Sequence, residues 1–204
     1  LKNNKSSEFV NVLKNKRNIV LFAGSPSPDV SFITNLFSQD KGVEVKQFIQ
    51  KKYSEFYIQP TKIDLENSEL IIMIGFPINS TSQQTLEMIR NEIEKGKPYL
   101  LIASRDIDFN KLKIMSDFLS FNIMSSRNQE FLASPDFQIG ELSNPLLRIY
   151  GNDSDLDLWN KLPPVFKTET FAKTKPEATI LATIKVNNVA LDQQIGRASC
   201  RERV

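Results

Sequence analysis

The sequence has no histidine, and its single cysteine, Cys200, falls within the last ten of 204 residues. These two gaps exclude the commonest catalytic pairs, because neither a Ser-His-Asp nor a Cys-His arrangement can be assembled from residues 1–194. With no second cysteine there is no disulfide frame either. Glycine is scarce, at 7 residues, and no apolar run approaches the roughly 20 residues of a membrane-spanning helix. Any anchor would therefore have to come from segments outside this sequence.

The last ten residues, Ile195–Val204, read IGRASCRERV. ATC GGA AGA GCG TCG TGT AGG GAA AGA GTG encodes them codon for codon, a short-read sequencing adapter in translation. As a non-native tail, 195–204 is excluded from the expected fold. The formal net charge of +2 is also an effect of this tail, since without its three arginines and one glutamate the chain carries 23 charges of each sign. A neutral chain has no electrostatic footprint for nucleic acid.

What is present is organised around IVLFAGSPSPD, Ile19–Asp29. An apolar run, a Ser/Pro-rich turn and an acidic residue predict a buried strand, a turn and a helix capped by Asp29, with Val30, Ile33, Leu36 and Phe37 at helical spacing. Gly42 closes that helix, and Val43, Val45, Phe48 and Ile49 suggest a second strand. Lys51–Ser68 reads as a loop with at most one short turn. Leu70–Ile74 is the most hydrophobic strand candidate and leads through Gly75, Phe76 and Pro77 to a helix facing inward with Leu86, Ile89 and Ile93. Pro98 introduces a strand over Tyr99–Ala103, and Asp108 opens a helix with Leu112, Met115 and Leu119 inward. Apolar strands alternating with amphipathic helices predict a parallel sheet covered on both faces.

The pattern weakens beyond Phe121. Strands are expected at Glu130–Ala133, Leu146–Tyr150 and Glu177–Val186, the last at a sheet edge or in a hairpin closed by Asn187 and Asn188. A short helix spans Asp153–Asn160, and Leu162–Phe166 is held extended by its two prolines. At the other end, Phe9–Leu13 reads as a short leading strand.

The candidate pocket lies at the strand C-termini, where Gly24, Ser25, Gly75, Phe76, Ser104 and Asp106 would meet. Ser104 is the best-placed hydroxyl, and Lys97 or Lys111 could pair with it in a Ser-Lys arrangement. A solvated loop serine is the competing reading. For phosphate, the AGSPSPD turn offers one glycine and no P-loop lysine, while Pro26 and Pro28 remove two amide donors. Metal chemistry would fall to carboxylates: Asp106 and Asp108, or the run Asn152–Asp157. That run lacks the glycine and glutamate of a calcium loop. No cofactor or metal is expected.

KPYLLIA, Lys97–Ala103, resembles the KPxLGIC strand that leads to the nucleophile of class I glutamine amidotransferases. The catalytic cysteine falls on Ala103, with Ser104 beside it, and the elbow glycines are absent. Gly75 and Pro77 resemble that family's oxyanion loop, interrupted by Phe76. A second resemblance is to uncharacterised bacterial membrane proteins similar to the von Willebrand factor A group. It rests on Asn3, Asn4, Phe9, Val12 and Leu13, then AGSPSPD, LPPVF and KVNNV. In that group the last strand of a β-sandwich runs into an inactive amidotransferase-like domain.

The resemblance implies a C-terminally truncated, three-layer αβα fold, flavodoxin-like or class I amidotransferase-like, with a mostly parallel sheet. Residues 1–17 would end an upstream β-sandwich and 18–194 would form the incomplete α/β domain. It also implies an extracytoplasmic position on a membrane protein. The expected function is non-catalytic interaction or scaffolding with unidentified protein partners. The alternative is an amidotransferase-like or other hydrolase whose catalytic groups lie outside this sequence.

Overall fold

Residues 16–52, 54–137, 144–150, 154–187 and 189–198 are described by the structure, a computed structural model. The expected strand over Phe9–Leu13, Asp153 and Asn188 lie outside them.

Four strands form a parallel sheet: β1 (Arg17–Ala23), β2 (Val43–Ile49), β3 (Leu70–Ile74) and β4 (Tyr99–Ile102), in the order β2-β1-β3-β4. The central strands β1 and β3 are apolar on both faces because both faces are covered. On one face Val20, Phe22, Ile71 and Met73 pack against Leu65 of α2 (Lys62–Glu66) and against Leu86, Ile89 and Ile93 of α3 (Gln83–Glu94). Leu112 of the one-turn helix α4 (Phe109–Leu112), with Met115 and Leu119 beyond it, completes this layer. Phe22 lies at its centre, its ring centroid 5.1 Å from Phe48, 5.4 Å from Phe76 and 6.3 Å from Phe56. On the opposite face Ile19, Leu21, Ala23, Ile72 and Ile74 pack with Val30, Ile33 and Phe37 of α1 (Pro28–Ser38).

Ser27, not Asp29, caps α1. Its side chain accepts from the Val30 N–H, and Pro28 takes the first helical position, where its fixed φ fits and no N–H is needed. Asp29 sits in the first turn. The Lys51–Ser68 connection contains one short helix, α2, opened by a reciprocal cap between Thr61 and Asp64.

After Phe121 the chain forms a separate antiparallel sheet: β5 (Phe121–Phe137), β6 (Val165–Thr174), β7 (Thr179–Val186) and β8 (Val189–Ala198), in the order β6-β5-β7-β8. A three-layer, mostly parallel flavodoxin-like or class I amidotransferase-like sheet was the expectation, and this second sheet overturns it. The fold is α/β in the broad sense only. β5 is hard to read because bulges between Ile123 and Ser125, and between Arg127 and Glu130, reset its alternation. β7 forms the expected hairpin with β8 but is an inner strand, paired on its other side with β5.

Leu146–Tyr150 is not a strand. Pro145–Leu147 makes a 3-10 turn capped by Asn144, whose side chain accepts from the Leu146 N–H. The short helix α5 (Ser154–Asn160) brings Trp159 onto Phe137, centroids 4.5 Å apart, and the indole N–H donates to the Leu147 carbonyl at 2.8 Å. β8 reaches Ala198, four residues into the segment excluded from the expected fold. Its ladder runs along the backbone, which any sequence supplies.

Candidate functional site

The C-terminal ends of β1, β3 and β4 bring together Gly24, Gly75 and Ser104. The Gly24 amide donates to the Ile74 carbonyl at 3.1 Å, and the Gly75 amide donates to the Ile102 carbonyl at 2.8 Å. There is no spare room between them. A β-carbon on Gly24 would fall inside contact distance of the Gly75 carbonyl oxygen and the Ile78 side chain. One on Gly75 would strike the Ser104 hydroxyl, and the φ of +54° at Gly75 disfavours any side chain there.

The other expected members of the pocket are elsewhere. Phe76 is fully buried and turned into the core, 6.2 Å from the Phe56 ring. Ser25 and Asp106 are exposed, and so is Ala103, which follows the end of β4 rather than ending it. Of the six pocket residues, Gly24, Gly75 and Ser104 meet, while Ser25, Phe76 and Asp106 do not join them.

The chain itself fills the edge that remains. The Phe76-Pro77 turn is tied to the start of α4 by a bond from the Asp108 amide to the Pro77 carbonyl, 2.7 Å. Gln50, buried at the end of β2, accepts from the Thr81 hydroxyl at 2.6 Å and donates to Ser80 at 3.2 Å. The Thr81 hydroxyl in turn accepts from the Ile78 amide at 3.0 Å, and the Lys111 ammonium donates to the Thr81 carbonyl at 2.7 Å. The Thr81 hydroxyl thus braces this loop and does not cap the helix that follows. The cap of α3 is instead Ser82, which accepts from the Thr85 amide.

Neither lysine is paired with Ser104. Lys111 is held by Thr81. Lys97 precedes β4 whereas Ser104 follows it, a separation of roughly 20 Å along an extended chain. Lys97 instead donates to the last carbonyls of α2, those of Leu65 and Glu66, and pairs with buried Glu92 at 3.1 Å. Lys95 meets the same carboxylate at 2.6 Å. Burial alone would raise the Glu92 pKa, but the hydrogen bonds from Lys95 and Lys97 outweigh it and hold the carboxyl below its ordinary 4.5. Asp64 behaves alike, with burial opposed by hydrogen bonds from Lys46 and Thr61 and a net shift downward. The Glu92-to-Lys95 spacing was visible in the sequence, but burial of Glu92 had no local signal.

Two of the groups that the AGSPSPD turn could offer an anion are already engaged. Ser27 caps α1, and the Gly24 amide is bonded across the sheet. Asp155 of the acidic run accepts from the amides of Ile149 and Tyr150, at 3.0 and 2.9 Å, and closes a turn. Among the described residues no group of three or more acidic, histidine or cysteine side chains could hold a metal. A groove of about 420 Å³ lies between α2 and α3, lined by Lys62, Leu65, Met88, Asn91, Glu92, Glu94 and Lys95 and remote from the strand C-termini. No helix among the described residues is long and apolar enough to cross a membrane.

No protein-family model matches the chain, and no curated protein sequence matches it significantly.

Proposed function

We propose that this chain is a non-catalytic interaction or scaffolding domain. The observation that carries the reading is the close packing at the edge of the parallel sheet: Gly75 lies against Gly24 on one side and Ser104 on the other, where an open α/β sheet would hold its ligand. The absence of histidine and a neutral charge balance outside the tail support it further. The resemblance to von Willebrand factor A-like bacterial proteins adds a location, the extracytoplasmic side of a membrane, with the tether supplied by other segments.

The test is twofold. The protein is treated with a serine-reactive fluorophosphonate, and ammonia release from glutamine is measured. The expected result is no labelling at Ser104 and no turnover. Stoichiometric labelling that Ser104→Ala abolishes, or glutamine hydrolysis, would overturn the proposal in favour of a hydrolase.

A further inference from the structure

The connection between β2 and β3 is fastened to the sheet by its backbone at two ends and by side chains alone in between. At one end the Tyr57 amide donates to the Ile49 carbonyl at 3.0 Å, and at the other the Glu69 amide donates to the Asn18 carbonyl at 2.7 Å. Among the described residues, every backbone–backbone hydrogen bond of residues 58–68 stays within that segment, as in the bonds from Leu65 to Thr61, Asn67 to Ile63 and Ser68 to Leu65. Ile58 and Ile63 are exposed, which leaves Leu65 as the one large apolar side chain of the segment in the core. A helix of five residues, such as α2, does not persist without tertiary contacts.

Two lysines supply the hydrogen bonds that hold the segment down. Lys46 of β2 donates at 2.5 Å to Asp64, which also closes the Thr61 cap. Partly buried Lys97 lies at the C-terminal end of α2 and donates to the carbonyls of Leu65 and Glu66 and to the Ser68 hydroxyl. Those carbonyls belong to the end of a helix, where no amide further along the helix can satisfy them. Glu92 of α3 aims the ammonium there, meeting Lys97 at 3.1 Å while it also holds Lys95. Lys62 and Glu66 pair with each other at 3.5 Å within α2, and so tie it to nothing else. Segments with few buried apolar side chains and few backbone bonds to their surroundings are the ones that open below the energy of global unfolding.

We infer that residues 58–68 form a strap that opens as a unit while the parallel sheet stays folded, with Lys97 as its latch. Opening lifts Leu65 out of the core cluster and takes Lys62 and Leu65 away from one wall of the groove between α2 and α3. The groove is thereby widened from its α2 side. This inference goes beyond the scaffolding role and stands apart from it, because a catalytic chain could carry the same strap.

Native-state hydrogen exchange of the full 204-residue chain tests it, read at the amides of Leu65, Asn67 and Ser68 against those of β1 and β3. The strap amides should exchange about tenfold faster than the sheet amides or more, with less acceleration by low denaturant, since a local opening exposes little surface. Two variants separate strap from sheet. Ile72→Val lies on the opposite face and weakens the open and closed forms alike, so it should speed the sheet amides about fivefold and leave the strap amides unchanged. Lys97→Met weakens the closed form alone and should speed the strap amides about tenfold. Strap amides as slow as those of the sheet overturn the inference, because the segment then unfolds only with the whole. Equal acceleration of both sets by Ile72→Val overturns it too. So does a Lys97→Met chain that keeps the wild-type rate in the strap, or one that fails to fold, since the sheet does not need its latch.

Discussion

The two sheets of this molecule are built on different terms. In the parallel sheet the central strands are buried on both faces, and Leu21, Phe22, Ile71, Ile72 and Met73 have no exposure. In the antiparallel sheet, among the residues whose burial is described, Ala133, Ala182 and Ile184 are enclosed, while the cross-strand neighbours Leu132 and Phe166 are 54% and 72% exposed. Burial of apolar surface is the dominant favourable term in folding. Stability is therefore concentrated in the first half of the chain, and the second half is held more by backbone pairing and bulged strands.

That contrast can be broken by substitution. The largest effect is expected at Phe22, where truncation to Ala empties the centre of a four-ring cluster and should cost about 3–5 kcal/mol by denaturant unfolding. Gly24→Ala comes next. Its β-carbon meets backbone, which cannot rotate away, so a loss of about 1–3 kcal/mol is expected. A neutral Gly24→Ala would mean that the sheet edge is looser than the geometry indicates.

Glu92→Gln should cost about 1–3 kcal/mol near neutral pH, since it removes a charged acceptor shared by Lys95 and partly buried Lys97. Its pH dependence has a definite sign. The folded carboxyl lies below its ordinary 4.5, so its contribution is complete above that value and is lost as pH falls through the lower folded value. The gap between wild type and Glu92→Gln should narrow on acidification, as chemical denaturation at successive pH values would show. A gap that widens would contradict the assignment.

Ser27→Ala should cost about 1 kcal/mol as a lost cap, and Asp29→Ala only about 0.5 kcal/mol through the helix dipole. The reverse ranking would restore Asp29 as the cap. The smallest effect is expected in the second sheet, where Phe166→Ser should change stability by no more than about 0.5 kcal/mol. A loss as large as that of Phe22→Ala would erase the difference between the halves.

The same contrast explains what the sequence made legible. Ile19–Ala23, Leu70–Ile74 and Tyr99–Ile102 announce themselves as short apolar runs, because a strand buried on both faces needs no alternation. β5 does not, since two bulges break its period and Pro135 lies within it. The six-residue pocket was only partly legible for a similar reason. Strand ends could be aligned by eye, which brought Gly24, Gly75 and Ser104 together, but the inward turn of Phe76 depends on the ring cluster around Phe22. Asp29 presents itself as the cap because it is the acidic residue before the apolar spacing, whereas Pro28 at the first helical position shifts the cap to Ser27. Lys97 stands out in the sequence only as a possible partner for Ser104, and the return of α2 beside it is what supplies its carbonyl partners.

The claim that the chain seals its own sheet edge is tested most directly by native-state hydrogen exchange at the amides of Gly24, Gly75 and Gln50, which donate to Ile74, Ile102 and Ala23. The closed edge predicts that all three exchange as slowly as the amides of β1 and β3, by global unfolding alone. Exchange of Gly24 and Gly75 in the native state at the rate of exposed loop amides would contradict it, and would mark the edge as open to a ligand.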